Sequence, residues 1–228
     1  MLKHDPELLE IFERFQGEVS DCAKLISPAE KALIAVVSLV AQSSHALLAY
    51  SVERALDAGV RPEQIREAVY QCAPYVGFPR VAEALNVIHE AFVKKGVALP
   101  LPACGTVTPE TRFDKGVDAQ ATIFGDSMRQ LAADGPEAMT PSQFFLASNC
   151  FGDFYTRKGL DLATREMLTL CILVNLGVEP QMRAHIQGNR NMGRSRAFIA
   201  EIIHQCLPYA GYPRLLNALR VLDEALPQ

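Results

Sequence analysis

Residues 71–80 read QCAPYVGFPR and residues 205–214 read QCLPYAGYPR, seven of ten positions identical at an offset of 134. Carried outward without a gap, the same offset pairs Gly59 with Gly193, Ile65 with Ile199, Glu67 with Glu201, Leu85 with Leu219 and Glu90 with Glu224. The match runs over roughly residues 26–92 and 160–226. Solenoid periods lie at about 20–50 residues, so a unit this long that occurs twice is a duplication. A residue present in one copy and absent from the other then stands out, because one copy can keep chemistry while its twin keeps only the fold.

Both copies are punctuated as helices. Ser27-Pro28-Ala29-Glu30 has the spacing of a capping box with proline in the first turn, and a helix follows to about Gln42. The next runs from Ser44 to Ala58 and stops at Gly59, a third opens at Pro62 and ends near Pro74, and a fourth runs from Pro79 to about Lys94. The second copy repeats this plan: Leu162 to Leu176 with a stop at Gly177, Pro180 to Gly193, Arg196 to Leu207, and Pro213 to Leu226. Proline at starts and glycine at stops is the expected asymmetry. Ahead of the first copy, Leu8, Leu9, Ile11, Phe12 and Phe15 form a helix-period stripe. Between the copies, Gly96 to Thr106 is the linker, followed by a helix over about Pro109 to Ala133 and another from Thr140-Pro141 into Cys150-Phe-Gly-Asp-Phe-Tyr-Thr-Arg157. No stretch alternates with period two for long enough to make a strand. The fold class is therefore all-α, two tandem helical repeats packed as one body, divided into residues 1–105 and 106–228.

Composition narrows the function. With 49% hydrophobic residues among 228, the chain can bury a sizeable core. A net charge of −4 without a basic run argues against nucleic acid. The longest strongly apolar stretch, Ala32 to Ala41, is about half of the roughly 20 residues a membrane helix needs, and the opening Met1-Leu-Lys-His-Asp-Pro lacks the apolar core of a secretory signal. The chain reads as soluble and cytoplasmic. Its six cysteines form no CxxC pair and no Cys/His spacing of a zinc site, so no metal is expected. Cys72 and Cys206, at equivalent positions, read as small buried hydrophobes.

The two copies differ most tellingly at Glu166 and His185, whose partners in the first copy are Ala32 and Ser51. A carboxylate and an imidazole in largely apolar helical surroundings can exchange a proton near neutral pH. The alternative is a Glu–His pair that ties two helices together. Arg165 and Lys31 are repeat partners, as are Arg214 and Arg80, and read as structural. Tyr75 and Tyr209 recur in both Pro-Tyr-x-Gly motifs and read as turn-shaping. Arg157 has no counterpart in an aligned repeat segment and is a candidate carboxylate clamp, with a surface or interface ion pair as the alternative, whereas Arg183 faces about 200° away from His185 on an ideal helix.

Thr164-Arg165-Glu166, Leu176-Gly177, His185 with Gly193, and Pro208-Tyr-Ala-Gly-Tyr-Pro-Arg-Leu-Leu-Asn217 resemble the carboxymuconolactone decarboxylase family, which also contains the alkylhydroperoxidase D-type proteins. Together the copies cover about 60% of the chain. The resemblance implies an all-helical unit that assembles into trimers or hexamers, and hence a homo-oligomer, with a trimer expected for a tandem chain. The peroxidase branch carries a Glu, a CxxC pair and a His; its cysteine positions fall on Val178 and Gln181 here, and on Ser44 and Leu47 in the first copy. Val178 cannot act as a nucleophile, nor Gln181 resolve a sulfenic acid. What is left is similar to the decarboxylase branch. That implies a lyase of aromatic degradation without cofactor or metal, acting on a small carboxylated lactone, with His185 as general acid/base, Glu166 as its partner, and Arg183 or Arg157 on the substrate carboxylate. Peroxiredoxin activity of the wider family and a non-catalytic helical scaffold are the alternatives; an unusual thiol peroxidase would need Cys150 or Cys171 accessible beside His185.

Overall fold

The computed structural model describes residues 4–227; Met1 to Lys3, on which the reading of the opening segment partly rests, and Gln228 lie outside them. Among the described residues the only regular structure is helical, and there is no strand. The elements are α1 (Pro6–Cys22), α2 (Pro28–Ala41), α3 (His45–Asp57), α4 (Pro62–Val76), α5 (Phe78–Lys94), α6 (Arg112–Phe124), α7 (Ser127–Leu131), α8 (Pro141–Phe145), α9 (Leu162–Leu176), α10 (Glu179–Asn191), α11 (Arg196–Gln205), α12 (Leu207–Ala210) and α13 (Tyr212–Ala225). A wider, π-helical turn over Leu146–Tyr155 continues α8.

Local chemistry explains most boundaries. Ser27 caps α2 and Glu30 reaches back to it, the capping box expected from the spacing. Gly177 ends α9 in the left-handed conformation at φ 72°, where a side chain would be strained. The structure differs from the sequence reading in two places. The helix expected over Pro109 to Ala133 is broken at Gly125, whose φ of 97° cannot continue it. The helix from Arg196 stops at Gln205 and restarts as α12, whereas α4 runs unbroken through Pro74, the equivalent of Pro208.

Helices α2 and α9, equivalent in the duplication, form the centre. Leu33 to Ala41 and Arg165 to Asn175 are buried all round, as helices at the middle of a body must be. Asn175 Nδ2 donates to Ser38 Oγ at 2.9 Å and bridges the two. The apolar run Ala32–Ala41 is thus a core helix, and no helix among the described residues is long and apolar enough to cross a membrane.

Each copy borrows the helix that precedes the other. Helix α1 lies on α11 and α12, with Phe12 against Tyr209 at 6.4 Å between ring centroids. The π-helical turn lies on α4 and clasps α6. That clasp needs two glycines: a Cβ on Gly116 would overlap the Ala147 carbonyl, and one on Gly152 would overlap the Arg112 carbonyl. The linker is stitched to the end of the turn by Lys158 N–H to the Cys104 carbonyl at 2.9 Å and Thr106 Oγ1 to the Thr156 carbonyl at 2.8 Å.

Candidate active site

Helix α9 carries Glu166 and α10 carries His185, and their association brings His185 Nδ1 to 2.6 Å from Glu166 Oε1. Glu166 is fully buried, and His185 keeps 7% of its surface exposed. The other carboxylate oxygen, Oε2, accepts from Tyr155 Oη at 3.2 Å. Thr169 Oγ1 and Tyr75 Oη stand 2.7 and 2.8 Å from Tyr155 Oη. A phenol has one proton to give, so where Tyr155 donates to Glu166, Thr169 and Tyr75 donate to Tyr155. Gln71 Nε2 in turn donates to Thr169 at 3.3 Å, and the Cys150 thiol faces Tyr75 Oη at 3.9 Å.

The chain of hydroxyls ends on Glu166 Oε2. An ionised Glu166 orders the imidazole with its proton on Nδ1, leaving Nε2 as the nitrogen able to take or give a proton. Tyr75 and Phe124 flank the ring edge-on, at centroid distances of 6.0 and 5.4 Å. Asn189 Nδ2 donates to the backbone carbonyls of Glu166 and His185 and locks α9 to α10. Burial, with the charges of Cys150 and Glu166 behind it, pushes the Tyr75 phenol well above its ordinary 10. Burial does the same for Tyr155, helped by Tyr75 and Glu166, so both phenols stay protonated donors.

The arginines expected to hold a carboxylate lie elsewhere. Arg183 is on the outer face of α10, paired with Glu224 of α13. Arg157 grips Glu67 through Nε at 2.8 Å and a terminal nitrogen at 3.1 Å. Glu67 is also met by Arg165 at 3.0 Å and Arg66 at 3.3 Å, and Arg165 is fully buried. Burial alone would raise the Glu67 carboxyl, but the hydrogen bonds and charges of Arg157 and Arg165 outweigh it and hold it below the ordinary range. Arg165 links this cluster to the site, donating to Gln71 Oε1 at 3.1 Å. The structural role read for Arg165 is thus a buried ion pair. Arg80 likewise holds a helix end, donating to the Ala41 carbonyl at 2.7 Å.

With that geometry in place the comparisons with known proteins are specific. The carboxymuconolactone decarboxylase family matches residues 6–90 and again residues 143–224. The chain belongs to the carboxymuconolactone decarboxylase family. It is similar to the 4-carboxymuconolactone decarboxylase of Acinetobacter baylyi, 26% identical over 116 residues that make up 50% of this chain and 87% of the relative. It is also similar to the nitrosuccinic acid decarboxylase of Metarhizium robertsii, 24% identical over 115 residues, 50% of this chain and 80% of that one. An uncharacterized 15.0 kDa protein of Paracoccus denitrificans is 34% identical over 73 residues, 31% of this chain and 54% of that one. Each decarboxylase therefore corresponds to about half of this chain, a single family unit where this protein has two.

Sequence comparison within the chain isolates Glu166 and His185 and misses the rest of their network. Tyr75 was expected to shape a turn in its own copy; it instead completes the site of the other copy. Tyr155 and Cys150 sit on the π-helical turn, whose sequence lies outside the aligned repeats. Thr169 stands opposite Ala35 in the duplication, a one-copy difference that could have flagged it.

Proposed function

We propose that this family member is a decarboxylase of a small carboxylated lactone, with His185 as the acid–base residue and Glu166 as its orienting partner. The observation that carries the reading is the Glu166–His185 contact, held from behind by Tyr155, with the imidazole bound to the carboxylate through Nδ1. The names of the two decarboxylase relatives support the reaction class.

In the reaction, the bond from the ring carbon to the substrate carboxylate breaks. CO2 leaves, and the electron pair passes into the lactone as an enolate. Protonated His185 delivers the Nε2 proton to carbon and gives the enol-lactone, then regains a proton from solvent. Ionised Glu166 stabilises the imidazolium and holds its orientation. A positioned acid–base group of this kind contributes about 10²–10⁴-fold. Arg183 and Arg157 are each engaged by a carboxylate, so the substrate's remaining carboxylate must be met by displacing one of those partners or by another group. A cytoplasmic trimer belongs to the same proposal.

A second reading draws on the complete burial of Glu166: the pair ties α9 to α10 in a non-catalytic scaffold. The peroxidase reading fares worse. Burial raises the Cys150 thiol to about 12 despite its contact with Tyr75, and pushes Cys171 well above its usual value, so neither supplies a thiolate near neutrality. Incubation with 4-carboxymuconolactone, following enol-lactone formation, separates the remaining two. Turnover that falls at least 100-fold in His185→Ala supports the enzyme. Absence of turnover in the unaltered protein removes this substrate, and a large loss of stability in an inert His185→Ala favours the scaffold.

A further inference from the structure

The first copy, where Ala32 and Ser51 replace the Glu–His pair, is not filled in. A cavity of about 510 Å³ lies at the position equivalent to the second copy's site, with Ala32, Ala35 and Ser51 on its wall. That volume falls within the roughly 300–1,000 Å³ usual for small-molecule sites. Like the other site it is composite: α1 supplies Gln16, and α12 of the second copy supplies Tyr209, the twin of Tyr75. Gln16 Nε2 donates to Tyr209 Oη at 2.6 Å, just as the equivalent Cys150 faces Tyr75.

The charge has been exchanged. In the second copy Gly188 leaves room for the Glu166 carboxylate; at the offset of 134 its twin is Arg54, opposite Ala32. Arg54 lines the cavity, donating to Gln16 Oε1 at 3.2 Å. Lys31, the twin of Arg165, lines it too. Arg165 is neutralised by Glu67, but Lys31 is not neutralised by the twin of Glu67. Glu201 turns instead to the backbone amides of Lys24 and Leu25, at 3.1 and 2.8 Å. The Lys31 ammonium meets only the carbonyls of Ser20 and Ala23, at 2.6 and 3.0 Å. Among the described residues, neither Lys31 nor the exposed Arg54 forms an ion pair with a carboxylate, and a half-buried cation such as Lys31 without a counter-charge favours an anion. Glu13 and Asp21 also line the cavity; Glu13 is engaged by the Tyr50 hydroxyl at 2.8 Å, and the two acids oppose a polyanion.

We propose that this cavity is a second, non-catalytic site that binds a small organic carboxylate with an apolar body, its carboxylate between Lys31 and Arg54 and its body against Ala32, Ala35 and Pro208. The proposal does not depend on the decarboxylase reading, since none of its residues belongs to the Glu166–His185 site.

Benzoate is the probe, titrated calorimetrically into the intact protein, with neutral benzamide as control. Saturable benzoate binding is expected, at least tenfold tighter than benzamide, weakened at least tenfold by Arg54→Gln and by Lys31→Met, and unchanged in His185→Ala. Arg54 is exposed, so Arg54→Gln tests the site without disturbing the fold. Ala32→Leu, which fills the cavity without altering charge, should also abolish binding. Absence of saturable benzoate binding overturns the proposal. So does equal affinity for benzamide, or binding that survives Arg54→Gln and Ala32→Leu but is lost in His185→Ala.

Discussion

Gly188 lies directly against Glu166: a Cβ on the glycine would overlap the carboxylate Oε1 and come within 2.8 Å of Ile123 Cγ2. The carboxylate can reach His185 only because α10 presents no side chain at that point. Gly188→Ala should therefore displace Glu166, lower turnover at least tenfold, and cost about 1–3 kcal/mol through overpacking. Kinetics and thermal unfolding of the one variant check both effects; unchanged turnover would sink the role given to Glu166.

Glu67 is the shared ion-pair partner of three arginines, one of them fully buried. Glu67→Gln leaves Arg165 without its counter-charge, and removing one partner of a buried pair costs about 3–5 kcal/mol. Urea unfolding at pH 7 measures the loss.

The same carboxylate sets an acid limit. Its folded pKa lies below the ordinary 4.5, so the unfolded chain takes up the proton first. Its stabilisation is complete above about pH 4.5 and is lost as pH falls through the lowered folded value. The unaltered protein should lose stability more steeply than Glu67→Gln on acidification below 4.5, as unfolding series at several pH values will show.

Cys150 is buried with its thiol raised to about 12, whereas Cys22 is exposed. Iodoacetamide at pH 8 should label Cys22 and spare Cys150 in the native state, and label both after unfolding. Peptide mass mapping reads the pattern; rapid native labelling of Cys150 would reopen the thiol peroxidase reading.

Gly116 and Gly152 let α6 and the π-helical turn touch backbone to backbone. Gly116→Ala should destabilise by about 1–3 kcal/mol and, by shifting the turn that carries Tyr155, lower turnover as well. Gly17→Ala, in the interior of α1 with no atom outside that helix within 4 Å of the added carbon, is the control and should leave turnover unchanged and stability unchanged or raised by about 0.5–1 kcal/mol.

The sequence alone determined the helical duplication, most helix boundaries and the contrast between Glu166–His185 and Ala32–Ser51. Those features are local: proline and glycine act within a turn, a capping box spans four residues, and a repeat offset applies along the whole chain. The tertiary structure decided which copy completes which site. Tyr75 reaches the pair from the opposite repeat, Arg157 is held by Glu67 rather than left for substrate, and the copy without the pair keeps an open cavity lined by Lys31 and Arg54. Each depends on how helices far apart in the chain lie against one another, and helical periodicity marks which face is buried without naming the helix that covers it.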